Sequence, residues 1–375
     1  MSSGPAIGFR PPRPVFAIPA GFALLLGLWA GLSRIGWDIS SDVQWDARHG
    51  PLMICGFLGT LITMERAVGS GWRWAYAGPA LAGAGAFALV FIDPLDPARL
   101  LFTGASVSLV VLFALLLYRF RMLPIGVLLT GAFLWLAGNL FWLSGDGLPL
   151  VTPWWVAFLV VTITGERLEL TAYTTRRRRA RVLFLLALAP LLAGLALTRE
   201  DQEAGQQVAG IGMLALAAWL FRFDIARRSI RRPEPARYIA ASLLAGYAWL
   251  AAGGLIWLLG PELKSGFVYD ATLHAVLLGF VISMVFGHAL IILPGTLRLH
   301  IEFHRRFYVH LLLLHASVAL RIWADFETDF DLRRWAGLLN ATAILLFLAS
   351  TFAAARPRRT SPPAVPALED EGEGA

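Results

Sequence analysis

Several of the chain's seven histidines lie inside long apolar stretches. An imidazole ring in such a place can serve as a ligand for a metal. His274 and His288 lie in LHAVLLGFVISMVFGHAL (273–290), His310 and His315 lie in the next apolar stretch, and His49 opens an earlier one. Neutral imidazole is a frequent ligand of haem iron and of copper, and a backbone carbonyl or water then satisfies its second nitrogen. The alternative for each histidine alone is a hydrogen bond to a neighbouring helix.

The spacing of His274 and His288 predicts two sites on one helix face. Fourteen residues at about 100° each fall about 40° short of four full turns, so the two side chains point the same way. Along the helix axis they are about 21 Å apart. One metal cannot bind both rings, so each histidine needs a partner at its own level.

The composition indicates that a lipid bilayer surrounds the elements that position these histidines. Of the 375 residues, 57% are hydrophobic and only 15% are charged, whereas soluble domains have about a quarter charged residues. The single cysteine, Cys55, excludes an internal disulfide, a multi-cysteine metal site and an iron–sulfur cluster. The net charge of +7 requires no nucleic acid partner, because arginines in loops interact with anionic lipid.

Apolar stretches of roughly 20 residues are long enough to cross a bilayer as helices, and the sequence contains twelve. We therefore predict an all-α, polytopic membrane helix bundle over residues 15–355, with a cytoplasmic segment at 1–14 and a disordered cytoplasmic tail at 356–375. The predicted spans are 15–33, 50–66, 74–92, 98–118, 122–143, 149–166, 181–198, 207–223, 238–260, 268–294, 306–324 and 334–355.

The charges in the loops predict the orientation. If both termini are cytoplasmic, every inner loop is basic, and the cytoplasmic segments together hold most of the 32 basic residues. Most of the acidic residues then lie outside. This distribution follows the positive-inside rule. It is typical of a multi-pass protein of a bacterial-type inner (cytoplasmic) membrane.

This orientation sorts the histidines by depth. His274 lies about two turns from the outer end of the tenth helix and His49 opens the second helix there, which predicts one haem b between two axial ligands. His288 lies towards the inner side, at the depth of His310 or His315, where the prediction is a second haem or a copper ion.

One stretch resembles a known haem-binding helix. RHGPLMICGF (48–57) is similar to the second helix of subunit I of the haem–copper oxidases, where a histidine, the following glycine and a methionine one turn later mark a low-spin haem site. The matching residues are His49, Gly50 and Met53. The helix count and cytoplasmic termini also resemble that superfamily, and the likeness implies His49 and His274 as axial ligands.

A smaller relative of the oxidases is closer in length. NnrS-type haem- and copper-containing membrane proteins, linked to nitric oxide stress, have a helix that starts with a histidine and ends in Gly-His, as Leu273-His274-Ala275 and Gly287-His288 do here. The chain departs from the oxidases because helix ten has no His-x-His pair and helices six and seven have no histidine. An oxidase-type copper site and proton-pumping oxygen reduction are therefore not implied.

Three functions remain in competition. The first is a haem-binding, or haem- and copper-binding, membrane protein in electron transfer or nitric oxide handling; it is a candidate oxidoreductase with unknown catalytic residues and an electron-donor protein as partner. The second is a two-haem b-type protein that moves electrons across the membrane. The third is a metal-free transporter or permease for a small molecule, although the scarcity of charge at mid-membrane counts against ion coupling.

Overall fold

Apolar segments in a bilayer fold as helices because each backbone N–H and C=O must find its partner within the chain. A computed structural model describes residues 15, 17–38, 47–171, 177–260, 265–297 and 299–357. Within these residues, twelve helices are long and apolar enough to cross a membrane, which confirms the predicted all-α polytopic bundle. Their orientation in the membrane stays a prediction.

We label these helices in chain order. They are α1 Ala17–Arg34, α2 His49–Ser70, α3 Arg73–Phe91, α4 Asp96–Phe120, α5 Leu123–Leu143, α6 Leu148–Thr171, α7 Arg177–Leu197, α8 Gln202–Phe223, α9 Ala236–Leu259, α10 Gly266–Leu297, α11 Phe307–Phe326 and α12 Phe330–Ala354. A short helix, Ala226–Ser229, lies between α8 and α9.

Each helix matches a predicted span to within a few residues, and polar caps explain two of the largest differences. The apolar stretch of α8 begins near residue 207, but Asp201 accepts a hydrogen bond from the backbone N–H of Ala204 and starts the helix earlier. Asp329 does the same for Leu332 at the start of α12. A side-chain acceptor at this position satisfies one of the N–H groups that a helix leaves unpaired at its first turn.

Two helices change their winding within three residues after a histidine. In α2, the α-helical turn His49–Pro51 leads into a π-helical segment, Leu52–Leu58. In α10, the α-helix Gly266–His274 leads into a second π-helical segment, Ala275–Ile282. Such segments are rare and occur frequently at functional sites. Of the twelve helices, these two and α6 have the largest fractions of buried residues.

A short β-pair lies at the end of the bundle where α10 and α12 end. β1, Leu299–Ile301, pairs antiparallel with β2, Ala355–Pro357, so His300 lies opposite Arg356. The first two residues of the predicted tail, 356–375, therefore belong to β2. The remainder of that tail and the predicted segment 1–14 lie outside the described residues.

The predicted orientation can be tested with introduced cysteines, because the native Cys55 is fully buried. Glu327→Cys lies between α11 and α12, and Arg232→Cys lies between α8 and α9, at the opposite end of the bundle. In intact cells we expect a membrane-impermeant maleimide to label Glu327→Cys and to leave Arg232→Cys unlabelled until the cells are permeabilised. The reverse pattern would place both termini outside.

Candidate functional site

A cavity of about 480 Å³ lies at the end of the bundle where α1 ends and α2 begins, which we call the outer end. Residues of α1, α2, α6, α10, α11 and α12 line it. Its volume is within the range of roughly 300–1,000 Å³ that is usual for small-molecule and cofactor sites. Most of the lining is aliphatic, and both His49 and His274 contribute to it.

His49 is held against a glycine face of α1. Its Nδ1 lies 2.7 Å from the carbonyl oxygen of Gly27. A carbonyl only accepts hydrogen bonds, so Nδ1 carries the proton and Nε2 carries the lone pair. A side chain at Gly31 would begin 2.8 Å from the His49 ring, so only glycine lets the ring lie this close to α1.

His274 has the same tautomer for the same reason. Its Nδ1 lies 2.8 Å from the carbonyl oxygen of Asp270, one turn earlier in α10, and 3.3 Å from a carboxylate oxygen of the same residue. The proton therefore lies on Nδ1, and Nε2 again carries the lone pair. Neither Nε2 atom makes a hydrogen bond to any residue that the structure describes.

The two rings lie close together, nearly parallel. Their centres are 6.3 Å apart and their planes differ by 11°. Two imidazoles on opposite sides of one metal, each with a nitrogen about 2.0 Å from it, have ring centres roughly 6.4 Å apart. The distance between the ring centres of His49 and His274 is therefore compatible with one metal ion between them. Gly50 and Met53, the other residues of the oxidase-like stretch, line the same cavity.

A buried ionic cluster supports His274 from behind. One carboxylate oxygen of Asp270 lies 2.5 Å from Arg321 and 2.9 Å from Arg333, and the Asp270 side chain is only 4% exposed. Arg333 also lies 2.9 Å from Asp325, which is fully buried. A carboxylate that holds the protonated nitrogen of a ligating histidine fixes the ring's orientation and raises its basicity.

Sequence reasoning missed this cluster because its members lie close to helix ends, where charge usually faces water. One signal was present: Asp270 precedes His274 by four residues in one helix, so the two side chains are neighbours. The partners Arg321 and Arg333 lie on α11 and α12, and a single sequence does not pair them.

His288 uses both ring nitrogens within the protein. Its Nδ1 donates to the carbonyl oxygen of Met284 at 2.8 Å, and its Nε2 accepts from Arg167 at 3.2 Å. Arg167 in turn forms a buried ion pair with Asp224, at 2.7 Å. A metal at His288 would have to displace the arginine.

The histidines of α11 have other partners. His315 accepts from the indole N–H of Trp249 at 3.0 Å on Nδ1, so its Nε2 carries the proton and lies 3.3 Å from Ser283. His310 lies 3.0 Å from the Tyr238 hydroxyl on Nε2, and its buried Nδ1 has no hydrogen-bond partner among the described residues.

The structure thus brings His49 and His274 together but gives His288, His310 and His315 separate partners. Within the described part of the chain, no three or more His, Cys, Asp or Glu residues form a group that would hold a metal ion. The inner metal site stays a prediction that these contacts do not support.

Comparison with known proteins identifies a family. A family model described as "Domain of unknown function (DUF8744)" matches residues 13–356. The chain belongs to the DUF8744 family. The match spans all twelve membrane helices of this DUF8744 protein, so the cavity and the ionic cluster lie within the family domain. No match to the chain was found among curated proteins.

Replacement of the central carboxylate of the cluster tests its structural role. Asp270→Asn leaves Arg321 and Arg333 buried with less neutralising charge, and breaking a buried ion pair costs about 3–5 kcal/mol. We expect the thermal unfolding midpoint of the detergent-solubilised DUF8744 protein to fall clearly. Asp331→Asn is the matched control, because that side chain is 88% exposed and should leave the midpoint unchanged. Equal midpoints for the two variants would contradict this role.

Proposed function

We propose that this DUF8744 protein is a haem-binding integral membrane protein in which His49 and His274 are the two axial ligands. One observation carries the proposal. The two histidines hold their Nδ1 protons on backbone carbonyls and leave both Nε2 lone pairs free beside a common cavity. Of the five intramembrane histidines, His288, His310 and His315 each engage Nε2 in a contact within the protein.

The number of ligands favours haem over a bare ion. Structural and catalytic sites for Zn²⁺ use three or four protein ligands, whereas the porphyrin of a haem supplies the four equatorial nitrogens itself. Two histidines complete the coordination of such an iron. The aliphatic lining of the cavity suits the flat, apolar body of a porphyrin.

A bound haem would carry one electron between its ferric and ferrous states. The protein's contribution would be to orient both imidazoles and to surround the group with an apolar, mostly buried environment, which tunes its potential. We therefore propose electron transfer or nitric oxide handling in a bacterial-type cytoplasmic membrane, with an electron-donor protein as partner.

The competing two-haem function requires a second pair of free lone pairs at the inner level. His288 accepts from Arg167 there, and the proton of His315 lies on the nitrogen nearest to Ser283. His310 keeps one unpaired nitrogen, Nδ1, but it has no second free histidine nitrogen opposite it among these three residues. The structure therefore favours one haem per chain. A metal-free transporter would use the same cavity for an uncoloured substrate, and the absorption spectrum separates it from both haem functions.

The first test is the absorption spectrum of the purified protein, oxidised and then reduced with dithionite. We expect sharp b-type bands that are lost or strongly altered in His49→Ala and in His274→Ala, because each variant removes one axial ligand. His304→Ala, outside the cavity, is the matched control and should retain the wild-type spectrum. A colourless protein, after expression with ample haem supply, would contradict haem binding and leave the transporter.

The second test is the haem and metal content per chain. A pyridine haemochrome assay against protein concentration should give about one haem per chain, and elemental analysis should find no stoichiometric copper. We expect His288→Ala and His310→Ala to leave the haem content unchanged. Two haems per chain, or copper that is lost in either variant, would establish the inner site instead.

A further inference from the structure

Asn340 is a buried amide without a partner. It lies on α12, lines the cavity and is only 4% exposed. Neither its Oδ1 nor its Nδ2 makes a hydrogen bond with the part of the chain that the structure describes. Leaving such a group unpaired costs about 1–3 kcal/mol. By contrast, Asn139, the amide on α5, bonds Phe102, Ser106 and Trp155.

Arg321 presents a free end to the same part of the cavity. Its Nε and Nη2 donate to Asp270, but its Nη1 bonds no described residue. A Cβ built on Gly337 would lie 2.9 Å from that Nη1, so Arg321 packs directly on the glycine of α12. Asn340 follows Gly337 by three residues, and positions three apart share a helix face. Arg321 therefore contacts the face of α12 that carries Asn340, and both residues line the cavity.

Arg34 adds an unpaired positive charge at the mouth of the cavity. It is exposed, ends α1 and lines the cavity, and it has no ion pair within the described residues. Deeper in, Asp270 and Asp325 balance the charges of Arg321 and Arg333. Among the described residues, no carboxylate therefore pairs with Arg34.

We propose that Arg321, Asn340 and Arg34 form a carboxylate-binding subsite at the outer end of the cavity. The free Nη1 of Arg321 and the Asn340 amide would donate hydrogen bonds to the carboxylate, and Arg34 would attract it at the entrance. This subsite does not use the lone pairs of His49 and His274, so it goes beyond the proposed function and does not depend on haem.

The lining defines the rest of the ligand. Beyond these three residues, most of the lining is aliphatic, and its other polar members are His49, Thr152, Ser265, Tyr269, Asp270 and His274. The ligand is therefore a carboxylate attached to a largely apolar body. Two sources share this chemistry, namely the carboxylates of a porphyrin and a free fatty-acid-like molecule. In either case, the contacts with the carboxylate come from residues that are not proposed as metal ligands.

The test compares each acid with a neutral analogue on the full-length protein in detergent. Haem and haem dimethyl ester are titrated by absorbance, and octanoate and octanamide by calorimetry. We expect at least one acid to bind about 10-fold more tightly than its neutral analogue, which corresponds to one hydrogen bond to a charged group. In Asn340→Leu we expect that preference to fall towards one, while the thermal midpoint is retained because no native hydrogen bond is lost.

Arg34→Ala extends the test at an exposed position where folding is not at risk, with Arg232→Ala as the matched control at the other end of the bundle. The acid preference should weaken in Arg34→Ala, and more so at low salt, but not in Arg232→Ala. Acid preference for haem alone identifies the porphyrin as the source, and preference for octanoate alone identifies a free carboxylate.

Equal binding of acids and neutral analogues in the wild type, or an unchanged preference in Asn340→Leu and Arg34→Ala, would overturn the subsite. If haem binds but neither haem nor octanoate is preferred over its neutral analogue, haem binding stands and the subsite fails. If haem does not bind but octanoate shows the preference, the haem proposal fails and the subsite stands.

Discussion

The absence of water inside a bilayer is the constraint on which this structure depends. A buried histidine has two ring nitrogens, and in lipid each must find a partner within the protein or bind a ligand. His288 and His315 satisfy both nitrogens with side chains and backbone, so they join helices. His49 and His274 each satisfy one nitrogen only, and both residues line the cavity. His310 also leaves one nitrogen unpaired among the described residues, but it does not line this cavity. Function is therefore to be sought where this pairing is incomplete.

The same constraint explains the ionic cluster around Asp270. A lone carboxylate at this depth would be costly, and here two guanidiniums from different helices neutralise it. The result is a rigid junction of α10, α11 and α12 immediately behind His274. A ligand-bearing helix that is fixed in this way holds its imidazole in one orientation, which a metal site requires of its ligands. The cluster thus connects the stability of the bundle to the geometry of the cavity.

Hydropathy and loop charge predict the twelve helices well because the bilayer imposes one length and one secondary structure on every crossing segment. The sequence also predicts the depth of a residue along its helix, and on this basis His49 and His274 are expected at one level, where their rings lie close together. It does not predict which helices are neighbours or how each one is rotated. His288 and His315 have compatible depths, yet they face Arg167 and Trp249 because helix rotation and neighbours depend on packing over the whole bundle. The Asp270 cluster escaped sequence reasoning for the same reason, since its arginines come from two other helices.

The π-helical segments that follow His49 and His274 affect the direction in which each imidazole ring points. A π-turn holds one residue more than an α-turn, so each segment offsets the phase between its histidine and the rest of the helix. The number of residues in each segment and its winding therefore help to set the direction of the histidine relative to the helix beyond it. A change in the length or winding of either segment would therefore disturb the nearly parallel arrangement of the two imidazole rings.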